Sequence, residues 1–276
     1  MRTSRRARIG LGVTAIAIVA WALVPVVWIV SLSFKQGDDI NNKQFWPTRW
    51  SWDNYRTVFG TNLFTSALRN SLGISLIATT IAVVLAMFAA YAVSRLAFPG
   101  KRWVLVSALA VSMFPAISIA TPLFNLWREI GLYDTWAGLV IPYLALTLPL
   151  SMWTLTSFFR QIPRDLEQAA QVDGATTWQA FRRVLVPLAA PGVFTTAILA
   201  FFVAWNDFVF GITLTSTDKA RPVPAALAFF SGASQFQQPT AAISAASVVV
   251  TIPVVVLVML FQRRIVAGLT NGAVKG

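Results

Sequence analysis

Few residues here could carry chemistry, and one of them stands alone. Asp207 is the single carboxylate in an apolar stretch that runs from Val184 to Thr217. A charge inside a spanning segment is costly, so it faces a cavity or a partner. Two readings follow for it: a contact to substrate, proton or gate, or a helix cap or interhelical pair. Asn206 beside it shares both readings, and Asn125, near the end of another apolar run, could hydrogen-bond a polar solute. On a helix begun at Pro191, Asp207 lies about 24 Å along the axis, in the far half of a bilayer. A second chemical possibility is the aromatic group Phe45, Trp46, Trp50, Trp52, Tyr55 and Phe59. These rings could stack on a sugar, or form an interfacial belt or a docking face.

Much chemistry is excluded. The chain has no His and no Cys, so it holds no imidazole base, thiolate nucleophile or disulfide. No G-x-x-x-x-G-K-[ST] occurs, and none of the five Lys is followed by Ser or Thr, so no P-loop binds ATP here. No clustered acid–base pair or metal-ligating group is evident, and none is expected.

The elements that must position Asp207 are membrane spans. Only 12% of the 276 residues are charged and 57% are hydrophobic, whereas soluble domains carry about 25% charge. Apolar runs of about 20 residues or more predict six spans at about 9–34, 70–94, 103–127, 135–159, 191–215 and 241–262. The first run resembles a signal peptide with Ala20-Trp21-Ala22 as a cleavage site, but it continues to Phe34, which favours an uncleaved span. The fold class expected is an all-α membrane protein, one transmembrane domain over 1–276. Fourteen of the 22 basic residues fall in the two tails and alternate connections, a bias that places both termini in the cytoplasm. The net charge of +12 then reads largely as a topology signal, and no nucleic acid partner is expected.

One connection is unlike a membrane segment. EQAAQVDGATTWQAFRRVLVPLAAP, 167–191, lies on the cytoplasmic side of this topology, between spans four and five. Pro163 suits a first helical position, with Asp165 and Glu167 in the first turn. Gly174 is a natural stop. Thr176 with Gln179 forms a capping box, and Phe181, Val184, Leu185 and Leu188 make one apolar stripe. Pro187 and Pro191 are expected to disturb or end this helix. A helix–turn–helix of this kind could lie on lipid, read DNA, or dock a cytoplasmic partner.

Gln168-Ala169-Ala170, Gly174, Val184 and Val186-Pro187 resemble the E-A-A, three residues, G, nine residues, aliphatic, one residue, L-P signature of ABC importer permeases. Asp173-Gly174-Ala175 and Phe181 look like its maltose-type, sugar-importer version. Gln168 replaces the usual Glu, with Glu167 preceding it, and Val186 replaces a frequent Leu. Asn70-Ser71, Ala90-Tyr91-Ala92, Phe98-Pro99-Gly100 and Trp205-Asn206-Asp207 extend the likeness, which is closest to the smaller, six-span permease and to actinobacterial disaccharide and trehalose importers. The resemblance implies a type-1 importer permease fold, its core at about 66–262, with a coupling helix at about 163–188. It assigns Glu167, Gln168, Ala169, Ala170, Asp173, Gly174, Ala175, Phe181 and Pro187 to the ATPase contact. It also implies a second homologous permease, an ABC ATPase dimer that binds the ATP and Mg, and an extracellular solute-binding (lipo)protein. An ion-gradient-driven transporter using Asp207 is the rival expectation.

Overall fold

A computed structural model describes residues 5–230 and 239–273, with side chains for 10–230 and 239–262. The basic residues of both tails therefore lie outside the described side chains. Among the described residues every regular element is helical. Five helices are long and apolar enough to cross a membrane, or six spans if one sharply bent pair counts as one. The chain divides into two compact units.

The first unit holds the chain up to Thr65 and Phe229–Ile252. Its long helix α1 (Arg5–Ser33) is apolar on all faces, and Leu11, Ile16 and Trp21 are exposed, as a span requires. Asn54, on the short helix α2 (Asp53–Phe59), donates to the carbonyls of Ser33 at 2.9 Å and Lys35 at 2.8 Å, satisfying the end of α1. Lys35 is fully buried; its ammonium donates to Asn42 Oδ1 at 3.0 Å and the Gln44 carbonyl at 2.5 Å, 5.1 Å from the Trp28 ring. Those partners make a buried cation tolerable. The aromatic group flagged in sequence stacks largely on its own members and on Phe34, which meets Trp50, Trp52 and Tyr55. Trp46, Trp50 and Trp52 stay more than half exposed. Beside them the Gln36 amide donates to Asp53 and holds that carboxyl below the usual carboxylate range.

The second unit, Ser66–Ala228 with the chain from Pro253, contains the rest. Helix α3 (Asn62–Arg95) begins in the first unit and is about 51 Å long at 1.5 Å per residue, longer than a hydrocarbon core. It buries Ala78, Ala82, Ala86 and Ala90, a small-residue stripe at four-residue spacing that lets helices approach closely in lipid. Two apolar clusters follow along it. One gathers Ile74, Trp127, Leu139, Tyr143 and Phe210; the other gathers Ala86, Ala90, Leu155, Phe159, Phe181 and Leu185.

The third expected span, 103–127, is broken. Helices α4 (Lys101–Ser112) and α5 (Ala116–Ile130) meet at 85°. Pro115 has no N–H and sits at φ −61°, ψ 126°, which stops helical continuation. Helix α6 (Trp136–Gln161) keeps Pro142 and Pro149 inside it and is capped by Thr135, whose hydroxyl accepts from the Gly138 amide at 3.0 Å. Helices α7 (Arg164–Val172) and α8 (Thr177–Ala180) come next, and Pro163 is the N-cap of α7, so that the helix begins one residue later than expected. Pro187 does not end the following helix. A π-helical turn at Phe181–Leu185 leads directly into α9 (Val186–Trp205), which contains Pro191 too. The wider turn accommodates the amide that Pro187 cannot donate. The fifth expected span, 191–215, breaks after Trp205 and resumes as α10 (Val209–Leu214); α11 (Val223–Ala228) follows, and α12 (Thr240–Ala273) runs on from the first unit.

Side chains pin the far end of this unit. The buried Asn70 amide donates to the carbonyls of Asp218 and Arg221 at 2.9 and 3.1 Å, and its oxygen accepts from the Trp136 indole at 3.0 Å. Asp134 accepts from the amides of Ser216 and Thr217 at 3.0 and 3.1 Å. Gly73 is required where Trp136 crosses α3: a Cβ there would lie 2.4 Å from the indole ring. Gly73→Ala is therefore expected to cost about 1–3 kcal/mol by overpacking, displacing Trp136 from Asn70. Thermal unfolding in detergent would read this as a lowered midpoint; an unchanged midpoint would contradict the packing described.

Candidate functional site

The segment between α6 and α9 folds as a compact helix–turn–helix at one end of the second unit. Helix α7 ends in a Schellman motif. Gly174 adopts φ +91°, its N–H donates to Gln171 at 3.0 Å, and the Ala175 N–H reaches back to Ala170 at 2.9 Å. Two residues on, the Thr176 hydroxyl accepts from the Gln179 amide at 3.2 Å, and the Gln179 side chain accepts from the Thr176 N–H at 2.8 Å. That reciprocal pair is the capping box expected from the spelling.

Three sets of contacts tie the segment to the spans. Glu167, 8% exposed, points inward. It accepts a hydrogen bond from the Tyr91 hydroxyl at 2.7 Å and lies 3.4 Å from Arg95 Nε. Arg95 also donates to the Ile162 carbonyl at 2.8 Å, while Arg164 donates to the Ser94 carbonyl at 3.1 Å. The end of α3 and the start of α7 are thus cross-linked in both directions. Exposed ion pairs contribute little, but a desolvated carboxylate is strongly dependent on its partners. The third set is aromatic. Phe181 is buried and touches Tyr91 at 5.0 Å, Trp178 at 5.4 Å and Phe88 at 5.8 Å between ring centres. It anchors α8 within this chain.

The sequence candidates now separate by face. Glu167 and Phe181 face inward and are spent on contacts within the chain. Gln168, Ala169, Asp173 and Gly174 are exposed, Ala170 and Ala175 half-buried, and Pro187 exposed farther along. The outward face also carries Leu166 at 44% and Val172 at 87% exposure, apolar side chains on a helix otherwise built for water. Glu167 is therefore not free to stand in, toward a partner, for the Glu that Gln168 replaces. Tyr91 and Arg95 were not singled out as site residues. Their i, i+4 spacing at the end of a span, with Arg95 the first charge after it, was the available signal.

Asp207 is held at the other end of the unit. Its Oδ2 accepts from the Tyr143 hydroxyl at 3.1 Å and from the Gly211 N–H at 3.0 Å, at the first turn of α10. These bonds match the capping and interhelical reading. Asn206 is exposed, its amide donating to the Phe202 carbonyl at 2.8 Å, and Asn125 is exposed on α5. No hydrogen bond among the described residues joins these two to Asp207.

Long apolar helices thus lead at one end into a separately capped helical segment, held to them by a buried ion pair. The chain belongs to the family of inner membrane components of binding-protein-dependent transport systems, whose model matches residues 82–271. It is 56% identical over 259 residues to the trehalose transport system permease protein SugB of Mycobacterium tuberculosis, covering 94% of each chain. It is 38% identical to the trehalose/maltose transport system permease protein MalG of Thermococcus litoralis over the full length of both. Among solved structures, a bacterial ABC transporter for the import of the acidic polysaccharide alginate shares the fold, with a TM-score of 0.76 at 24% identity, over 95% of this chain and 99% of that one. The chain is thus a multi-pass ABC importer permease, and the ion-gradient-driven alternative built on Asp207 is set aside.

Proposed function

We propose that this chain is one of two homologous permease subunits of an ATP-driven importer that carries a disaccharide of the trehalose or maltose type across the cytoplasmic membrane by alternating access. The observation that carries this reading is the α7–Gly174–α8 segment: locked inward through Glu167, yet presenting Leu166, Ala169 and Val172 outward. A partner groove that receives one face of a helix gains from such apolar anchors. The partner is an ABC ATPase dimer, which binds the ATP and Mg; the chain itself does no chemistry. The sugar class rests on the names of the relatives, and an extracellular solute-binding protein would deliver it.

The broken third span supports a second permease. The break at Met113–Pro115 lies about 18 Å along from Lys101, mid-membrane by helix rise. Met113 is 83% and Phe114 64% exposed there. Non-helical backbone at that depth is tolerated only when protein or a water-filled cavity covers it. The charge bias supports a cytoplasmic side for both termini and the docking segment.

The test is co-purification. The tagged chain in mild detergent is expected to bring an ATPase and a second permease with it. Leu166→Asp with Val172→Asp should weaken ATPase retention by about 30-fold or more, as loss of an interface hot spot does. An ATPase retained equally by this variant, or absent from the wild type, would sink the reading.

A further inference from the structure

A second feature at this end of the spans shares Arg95 and Arg164 with the contacts described above and adds Lys101 and Arg160. A cavity of about 410 Å³ opens between the end of α3, the start of α4 and the junction of α6 with α7. Four cationic side chains line it, Arg95, Lys101, Arg160 and Arg164, and no carboxylate does. Glu167 neutralises Arg95 from the other side, and Arg164 rests on the Ser94 carbonyl. Lys101 reaches only the Leu96 carbonyl, at 3.3 Å. Three positive charges converge on the space without a negative partner among its lining residues.

The backbone adds to this. Helix α4 starts at Lys101 after Gly100, with no side-chain cap and no acid in its first turn, which carries Lys101 and Arg102 instead. Cations at a helix N-terminus oppose the helix dipole, so the arrangement is unfavourable unless an anion joins it. An anion in the cavity would answer the unbalanced cations, among them Lys101 at the start of α4. Its depth is marked by Trp103, 71% exposed and two residues into α4. Exposed Trp beside Lys and Arg at the end of a span is the pattern of the headgroup layer.

We propose that this cavity binds an anionic phosphate group, and that its source is the phosphodiester headgroup of an acidic lipid in the adjoining leaflet. Basic pockets between spans on the cytoplasmic side hold such headgroups by charge-assisted hydrogen bonds from Lys and Arg. The bound lipid would brace Lys101 and Arg160 against each other, and so steady the ground against which α7 moves. The cytoplasmic placement rests on the functional reading above; the binding itself does not.

The experiment is native mass spectrometry of the full chain, with the subunits that accompany it, in a zwitterionic detergent. Phosphatidylglycerol and phosphatidylcholine are titrated in turn, and inorganic phosphate is then added as a competitor. The wild type should retain phosphatidylglycerol in preference. Lys101→Gln with Arg160→Gln should lower that retention about 30-fold, for two surface cations removed. Lys101→Arg with Arg160→Lys keeps both charges and should keep the lipid. Displacement by millimolar inorganic phosphate would uphold the anion site but assign it to a soluble phosphate. Equal retention of the two lipids with no binding of phosphate, unchanged retention in the glutamine variant, or loss in the charge-conserving one would overturn the proposal. Retention of the ATPase is read in the same spectra. Its absence from the wild type would count against the importer reading while leaving the lipid measurement intact.

Discussion

Glu167→Lys is expected to abolish sugar uptake while the chain still inserts in the membrane. The substitution sets an ammonium against Arg95 at a site where the carboxylate is 8% exposed and ion-paired at 3.4 Å. Removing one partner of a buried pair costs about 3–5 kcal/mol, because the other charge is left uncompensated. That exceeds any loss from an exposed pair, which is below about 1 kcal/mol. The Tyr91 hydrogen bond is lost with it. The damage is local, at the junction of α3 and α7, so the remaining spans keep their packing. On the proposed docking role of α7, ATP hydrolysis by the assembled transporter should continue without matching transport, since the outward face of α7 is unchanged while its grip on α3 is reduced to the Arg164 bond to the Ser94 carbonyl. The measurement is the ratio of sugar imported to ATP hydrolysed in proteoliposomes. Glu167→Arg with Arg95→Glu restores opposite charges in exchanged positions and should recover part of that ratio. Normal uptake by Glu167→Lys alone would show that the pair carries no coupling.

The second large effect is at Gly174, and it is graded. With φ at +91° and no atom within 4 Å of a built Cβ, the requirement here is backbone conformation and not space. Gly174→Asn is expected to be nearly silent, since Asn tolerates the left-handed region. Gly174→Ala should cost about 1–2 kcal/mol of local stability. Gly174→Pro cannot be accommodated: its φ is fixed near −65°, and it removes the N–H that donates to Gln171. Helix α7 then loses its C-terminal motif, and α8 loses its direction. Uptake assays on the three variants, normalised to inserted protein, should rank Asn above Ala above Pro. A Pro variant that transports normally would mean that the turn plays no part in coupling.

These two sites show where reading the chain succeeded and where it stopped. Gly174 could be read from local spelling, because a helix stop followed by Thr176 and Gln179 is written in adjacent residues. The inward turn of Glu167 could not be. Glu167 and Gln168 are neighbours about 100° apart on a helix, and nothing local says which faces the spans. Its partners Tyr91 and Arg95 stand more than 70 positions earlier in the chain. Asp207 was legible as an expensive charge, but its bonds to Tyr143 and Gly211 depend on α6 packing beside the start of α10.

The sequence by itself determined most of the elements: apolar runs long enough to span, and the capped segment among them. Hydropathy, helix capping and turn preference act within a few residues, so they survive reading one residue at a time. Only the tertiary structure decided the rest. Pro115 breaks its helix by 85° while Pro187 is carried through a π-helical turn, although both prolines lack the same N–H. Neighbouring helices decide whether the freed carbonyl is satisfied in place or the axis must turn. The same packing gives Glu167 to Arg95 and leaves Lys101 and Arg160 facing an open cavity, because the pairing of charges is set by which helix ends meet.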